Sequence, residues 1–217
     1  MKKLLLACAA MGAAALATPA TAASLLYDFS SPSGVPGGVG TQTYTSGGIT
    51  ITANACGVGL CYPDLVAPLF GKAGGGDENG LGIAAGATGD SANEITGIFG
   101  VELDVLNLIG HVVPGSVDFQ MGSTTAPDAW EVLGSNVSSG SWTPLLPGAD
   151  EGSHPLPDFG TYRYYEFVAT SGDVLLANLT ASTTAVPEPA TWALMLLGIG
   201  GLGAALRTRR KGEFAVA

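Results

Sequence analysis

From about residue 24 to residue 185, apolar side chains recur at every second position in short runs, and helical periodicity is almost absent. Phe99, Val101, Leu103 and Val105 alternate with Gly100, Glu102 and Asp104, and Val117, Phe119 and Met121 alternate with Asp118 and Gln120. A period of two sends neighbouring side chains to opposite faces of an extended chain. Each run therefore predicts a strand with one buried and one polar face. Further runs lie at Leu25 to Phe29, Leu81 to Ile83, and Trp130 and Val132 around Glu131. Thr41 to Tyr44 and Ile49 to Thr52 read as a hairpin turning through Ser46-Gly47-Gly48. Tyr165, Phe167 and Ala169 oppose Tyr164, Glu166 and Val168, and Leu175, Ala177, Leu179 and Ala181 alternate with Leu176, Asn178 and Thr180. Gly, Ser, Pro, Asn and Asp separate the runs. The expectation is an all-β domain at residues 24–185, a jelly-roll-like antiparallel β-sandwich. An immunoglobulin-like arrangement is the alternative, but Cys56 and Cys61 stand too close together to bridge two sheets.

Charge narrows what such a domain can bind. Between residues 24 and 186 the only basic residues are Lys72 and Arg163, against sixteen of the eighteen Asp and Glu, a net charge of about −14. That balance excludes a reader of nucleic-acid phosphates, which needs a basic footprint. It suits a soluble extracellular protein and invites divalent cations.

The two ends differ from the body. Lys2 and Lys3 precede an apolar stretch from Leu4 to Leu16, then Thr18-Pro19 and the small residues Ala20-Thr21-Ala22. A charged start, an apolar middle and an A-x-A site predict a secretory signal peptide at residues 1–23, removed on export after Ala22 or Ala23. At the other end, Val186-Pro187-Glu188-Pro189 leads through Trp192 into an apolar run that stops at Arg207-Thr208-Arg209-Arg210-Lys211. The 17 residues from Ala190 to Leu206 would span about 25 Å as a helix, just under a ~30 Å hydrocarbon core. A single transmembrane helix at about 190–206 is expected, with Trp192 at one interface and the basic cluster held cytoplasmic at the other. Residues 212–217 form a short cytoplasmic tail.

The Pro-Glu-Pro step, the aromatic, the Gly-containing span and the Arg-rich stop occur in that order at residues 186–211. This arrangement resembles the PEP-CTERM protein-sorting signal of Gram-negative bacteria, whose tail is also labelled an ice-binding protein C-terminal domain. The resemblance implies that Val186, Pro187, Glu188, Pro189, Trp192, Arg207, Arg209 and Arg210 form a sorting signal read by the membrane protease exosortase. It implies Sec-type export and signal peptidase as further partners, and a transient inner-membrane anchor with the body periplasmic. Release to the cell surface or extracellular matrix follows, with the logic of a temporary hydrophobic tail.

Candidate chemistry in the body is sparse. There is no G-x-S-x-G and no H-E-x-x-H, and neither His111 nor His154 sits in a nucleophile motif, so no catalytic residue is assigned and the protein is expected not to be an enzyme. Cys56 and Cys61, an even pair in an exported chain, predict a disulfide. Asp77 and Glu78 in a glycine-rich turn, with Asn93 and Glu94 ahead of the Phe99 run, offer hard oxygen donors, and make structural Ca2+ the one candidate cofactor. Trp142, in a Gly/Ser loop, is the candidate ligand-binding aromatic, whereas Trp130 and Tyr165 lie on the buried phase of their strands. The resulting expectation is an exported, non-enzymatic surface or matrix protein with an exopolysaccharide- or biofilm-associated role and exopolysaccharide as candidate partner. A carbohydrate-binding module and a secreted hydrolase with a carboxylate site are the alternatives.

Overall fold

The alternating runs form antiparallel strands in the computed structural model, which describes residues 22–34, 40–57, 67–84, 93–184, 195–203 and 207. In chain order the strands are β1 (Ser24–Asp28), β2 (Thr41–Ser46), β3 (Ile49–Gly57), β4 (Leu69–Ala73), β5 (Asn79–Ile83), β6 (Ile95–Thr96) and β7 (Phe99–Asp104). They continue with β8 (Asp118–Gly122), β9 (Ala129–Ser135), β10 (Thr143–Gly148), β11 (Ser153–Pro155), β12 (Tyr164–Ser171) and β13 (Asp173–Ser182). One sheet has six strands in the order β10-β9-β12-β7-β3-β2. The other has seven, with β11-β8-β13-β5-β4 in line and β1 and β6 also pairing β13. This is the expected antiparallel two-sheet sandwich, and it lies within the compact unit formed by residues 23–184.

Local chemistry explains the elements. Gly47 and Gly48 have φ of 55° and 81°, and Ser46 pairs directly with Ile49 across them. Two successive positive-φ residues make the two-residue turn whose twist matches the flanking strands. The strands with no clear alternation in the sequence sit mostly at sheet edges. β10 carries Pro144 and Pro147, and β11 ends at Pro155, each at an edge where a missing N–H costs no ladder bond.

The two inner faces meet in one apolar core. Phe119 of β8 lies edge-on to Trp130 of β9 at 5.4 Å and to Phe167 of β12 at 5.1 Å, so one aromatic of the seven-stranded sheet is seated between two of the other. The Trp130 indole N–H donates to the Asp150 carbonyl at 3.0 Å. Its ring lies over Gly148, its register partner on β10, where a Cβ would come within 2.1 Å of the ring.

Two expectations need correction. Along β13 the core-facing residues are Val174 and Leu176, then Leu179 and Ala181, not a single alternation through Leu175 and Ala177. The pairing with β8 shifts register between Leu176 and Asn178, and the extra residue of such a bulge changes the phase of everything beyond it. Glu102, Glu166 and Val168, expected on a solvated face, are buried, so the outer face of the six-stranded sheet is covered at its centre.

At the C-terminus, residues 195–203 and 207 are helical, and Met195, Leu196, Leu197, Ile199 and Leu202 are exposed. Among the described residues no helix is long and apolar enough to cross a membrane. The remainder of the expected span at 190–206, and the expected signal peptide up to residue 21, lie outside the described residues.

Glycine at position 148 gives a direct test of the Trp130 seat. Gly148→Ala is expected to cost about 1–3 kcal/mol, the usual range for overpacking a filled site. Gly97→Ala, where an added Cβ meets nothing within 4 Å, is expected to be close to neutral. Urea denaturation of the two variants measures the difference.

Candidate functional site

Of the residues expected to carry function, the sorting signal is a linear element. Arg207 is helical and exposed, whereas Val186, Pro187, Glu188, Pro189, Trp192, Arg209 and Arg210 lie outside the described residues. Cys56 is buried and disulfide-bonded, and Cys61 lies outside the described residues.

Two of the four residues suggested for calcium converge, but on an ammonium group. Glu78, ahead of β5, and Glu94, ahead of β6, both pair with Nζ of Lys72 on β4. The Ser123 hydroxyl lies 2.8 Å from Glu78 Oε1 and 3.0 Å from Glu94 Oε2. Asp77 contributes its carbonyl, which accepts from the Ser123 N–H at 3.0 Å. Asn93 turns the chain at a positive φ of 67° and lays its carbonyl over Gly82, where a Cβ would come within 2.0 Å. Among the described residues no three His, Cys, Asp or Glu side chains converge as a metal set. Burial pushes the Glu94 carboxyl up to about 7 against the opposing pull of Lys72 and Ser123. Burial also raises Glu78, but the hydrogen bonds from Lys72 and Ser123 outweigh it and its net shift is downward. Sequence reasoning passed over Lys72. The available signal was its isolation, as the single lysine between Lys3 and Lys211.

A second acidic cluster lies on the outer face of the six-stranded sheet. Glu102 of β7 is the register partner of Glu166 on β12 and of Asn54 on β3, and both glutamates are fully buried. Asn54 donates to Glu102 Oε1 at 2.7 Å, Thr41 on β2 donates to Asn54 Oδ1 at 2.9 Å, and Ser138 donates to Glu102 Oε1 at 3.1 Å. Glu166 occupies the space over Gly100, where a Cβ would come within 2.6 Å of its Oε1. Directly opposed like charges are unfavourable, so the pair needs a proton on one member or a compensating partner. Burial pushes the Glu102 carboxyl upward, opposed by Asn54 and Ser138 and reinforced by Asp104.

Trp142, expected as an exposed aromatic, is half-buried on the β9–β10 loop, and its indole N–H is enclosed with no hydrogen-bond partner. Trp130 and Tyr165 fill the core as expected. On the outer face of the seven-stranded sheet a cleft of about 330 Å³ is lined by Asp28, Asp77, Gln120, Glu151 and Asn178 among others, with no aromatic ring.

The Glu102 shift has a pH consequence. A carboxyl that holds its proton more tightly in the fold than the usual 4.5 makes the folded state bind more protons above that pH. Its contribution to stability is full below the unfolded value and is lost as pH rises through the folded value. Glu102→Gln removes that loss, so the variant should gain in Tm relative to wild type as the pH is raised above 4.5. Thermal melts across that range check it, and parallel curves for the two proteins would count against it.

Comparison with known proteins adds a family for the tail. A family model for the PEP-CTERM protein-sorting motif matches residues 185–211. No curated protein matches the chain. Two solved structures of CBM29-2 mutants, described as family 29 carbohydrate-binding modules, align with a TM-score of 0.32. The first is 18% identical and covers 75% of this chain and 92% of its own, and the second is 16% identical over 75% and 93%. That likeness is too slight to argue from, and the sandwich rests on the strand pairing described above. The chain carries a C-terminal PEP-CTERM protein-sorting motif, which implies export, exosortase processing and surface sorting of the antiparallel β-sandwich that precedes it.

Proposed function

We propose that this protein is a non-enzymatic surface or matrix protein whose acidic β-sandwich is delivered outside the cell and freed from a temporary membrane anchor, for an exopolysaccharide-associated role. The succession of sequence motifs from Val186 to Lys211 carries the reading. The apolar run from Ala190 to Leu206 serves as the anchor, and the arginine cluster holds its end in the cytoplasm. Its glycines at 198, 200, 201 and 203 suit close packing against helices of a membrane protease. The state of the acids supports a non-catalytic body. Glu78 and Glu94 are engaged by Lys72, and Glu102 and Glu166 are buried away from solvent, so neither pair faces an open groove as a glycosidase pair would.

Direct glycan binding is the second reading, favoured by the cleft beside Gln120 and Asn178. Carboxylate and amide groups there suit sugar hydroxyls, although a stacking ring is missing. A glycan array probed with the exported protein, compared with an Asn178→Ala variant, separates the two readings.

Processing is tested by intact mass. Protein released at the surface is expected to begin near Ala23 or Ser24 and to end near residues 186–189. A released species that retains Leu194 to Leu206 would sink the temporary anchor. Pro187→Ala with Pro189→Ala is expected to abolish release while leaving export intact.

A further inference from the structure

Lys72 is placed unlike a surface lysine. Its Nζ pairs with two carboxyl groups, and the Ser123 hydroxyl reaches both of them. One amine, two carboxyls and one hydroxyl therefore share a single site. They arrive from four segments: β4, the turn ahead of β5, the residue ahead of β6 and the residue after β8. Glu94 and Ser123 are buried, at 1% and 7% exposure, and the Lys72 and Glu78 side chains are 17% and 26% exposed. Backbone contacts fix each arm. The Gly74 N–H donates to the Glu78 carbonyl at 2.9 Å, the Ser123 N–H donates to the Asp77 carbonyl at 3.0 Å, and Asn93 packs on Gly82. A simple ion pair needs one carboxylate. Here a second carboxyl, the buried Glu94, is held against the same nitrogen.

We propose that Lys72 Nζ and the Glu94 side-chain carboxyl condense to an amide, a covalent cross-link inside the exported sandwich. The atoms balance with the groups present. Glu78, as carboxylate, takes a proton from the Lys72 ammonium and frees the nitrogen lone pair. The amine attacks Cδ of protonated Glu94, and the Nζ–Cδ bond forms. The Ser123 hydroxyl donates to the oxygen on which charge develops. Glu78 returns its proton to the Cδ hydroxyl, which leaves as water as its C–O bond breaks and the charged oxygen re-forms the carbonyl. The nitrogen passes its second proton to Glu78, which ends as the carboxylic acid and gives that proton up to solvent. No oxidant, nucleotide or metal is required. The opposite shifts of Glu94 and Glu78 suit the two roles, a carboxyl protonated near neutrality and a carboxylate able to accept a proton. Fixed proximity supplies the rate, since well-oriented intramolecular groups act at very high effective concentration. The product ties edge strand β4 to the segment leading into β6, and a cross-link of this kind restricts the unfolded chain as a disulfide does.

The sequence supplies a sharp assay, because Lys72 is the single lysine between Lys3 and Lys211. The exported protein is reduced, denatured and treated with a lysine-specific protease, which needs a free ammonium group. The wild-type chain is expected to remain uncut at Lys72 and to weigh one water less than its reduced sequence requires. Its peptide map should contain a branched peptide joining Lys72 to Glu94. Glu78→Gln, which keeps a hydrogen-bonding side chain but removes the base, is expected to restore cleavage after Lys72 and the full mass. Lys72→Arg calibrates the mass of an uncross-linked chain. Complete cleavage after Lys72 in the wild type, or a branch at Glu78 in place of Glu94, would overturn the proposal. The wild-type result stands alone should a variant fail to fold.

Discussion

The backbone ladders run within each sheet. Between the sheets the described strands share two hydrogen bonds, from the Leu26 N–H to Ser46 Oγ at 3.0 Å and from the Tyr27 hydroxyl to the Ile49 carbonyl at 3.2 Å, so side-chain packing does most of the joining. The decisive contact is Phe119 against Trp130 and Phe167. Edge-to-face rings add a directional preference to the burial of large apolar area. The sheets are thereby fixed in rotation as well as in spacing. The remaining demands follow from that seat. β10 must present glycine where the Trp130 ring crosses it, and the chain beyond β10 must return the Asp150 carbonyl to the indole N–H. The ring of His154 on β11 closes the same cluster at 4.9 Å from Trp130.

Electrostatics in the body are governed by scarcity of positive charge. Both of its basic side chains are committed within the fold. Arg163 grips Asp104 through Nε and Nη2, the latter at 2.6 Å, and stacks on Tyr164, while Lys72 is taken by two glutamates. The surface left to solvent is accordingly dominated by acids. Such a surface keeps copies of the protein apart and attracts counter-ions rather than anionic partners. Acids that are buried must then be neutralised locally, by a hydrogen-bond row at Glu102 and by an ammonium group at Glu94.

Alternation in the sequence revealed the strands that are buried on one face, and these form the centre of both sheets. It was silent on β4, β10 and β11, where edge position relaxes the pattern and admits proline. It also misjudged Glu102 and Glu166. Period two shows which residues lie on the opposite side from the core, but not whether a loop later covers that side, as Ser138 does. The bulge in β13 was invisible for a similar reason, since Leu175 and Leu176 are equally apolar and only pairing with β8 chooses between them. At the acidic loops, glycine and oxygen-bearing side chains suggested a cation. The structure brings Glu78 and Glu94 together, but the cation that joins them is an ordinary amino acid on a strand about twenty residues away from Glu94. The sorting tail was the most legible element, because its information is linear and needs no tertiary context.

The first strand of the body pairs with the last, Ser24 with Ser182 through Asp28 with Asn178. β13 also carries β5, β6 and β8. Such long sequence separation slows folding, since the chain must close a large loop before these contacts form. A chain exported amino-terminus first therefore exposes β1 without its partner until almost the whole body has crossed. Completion of the fold must wait for the segment immediately before the sorting motif. For such a chain folding and sorting are coupled in time, because the strand that completes the sandwich directly precedes the sorting motif in the sequence and becomes available just ahead of it.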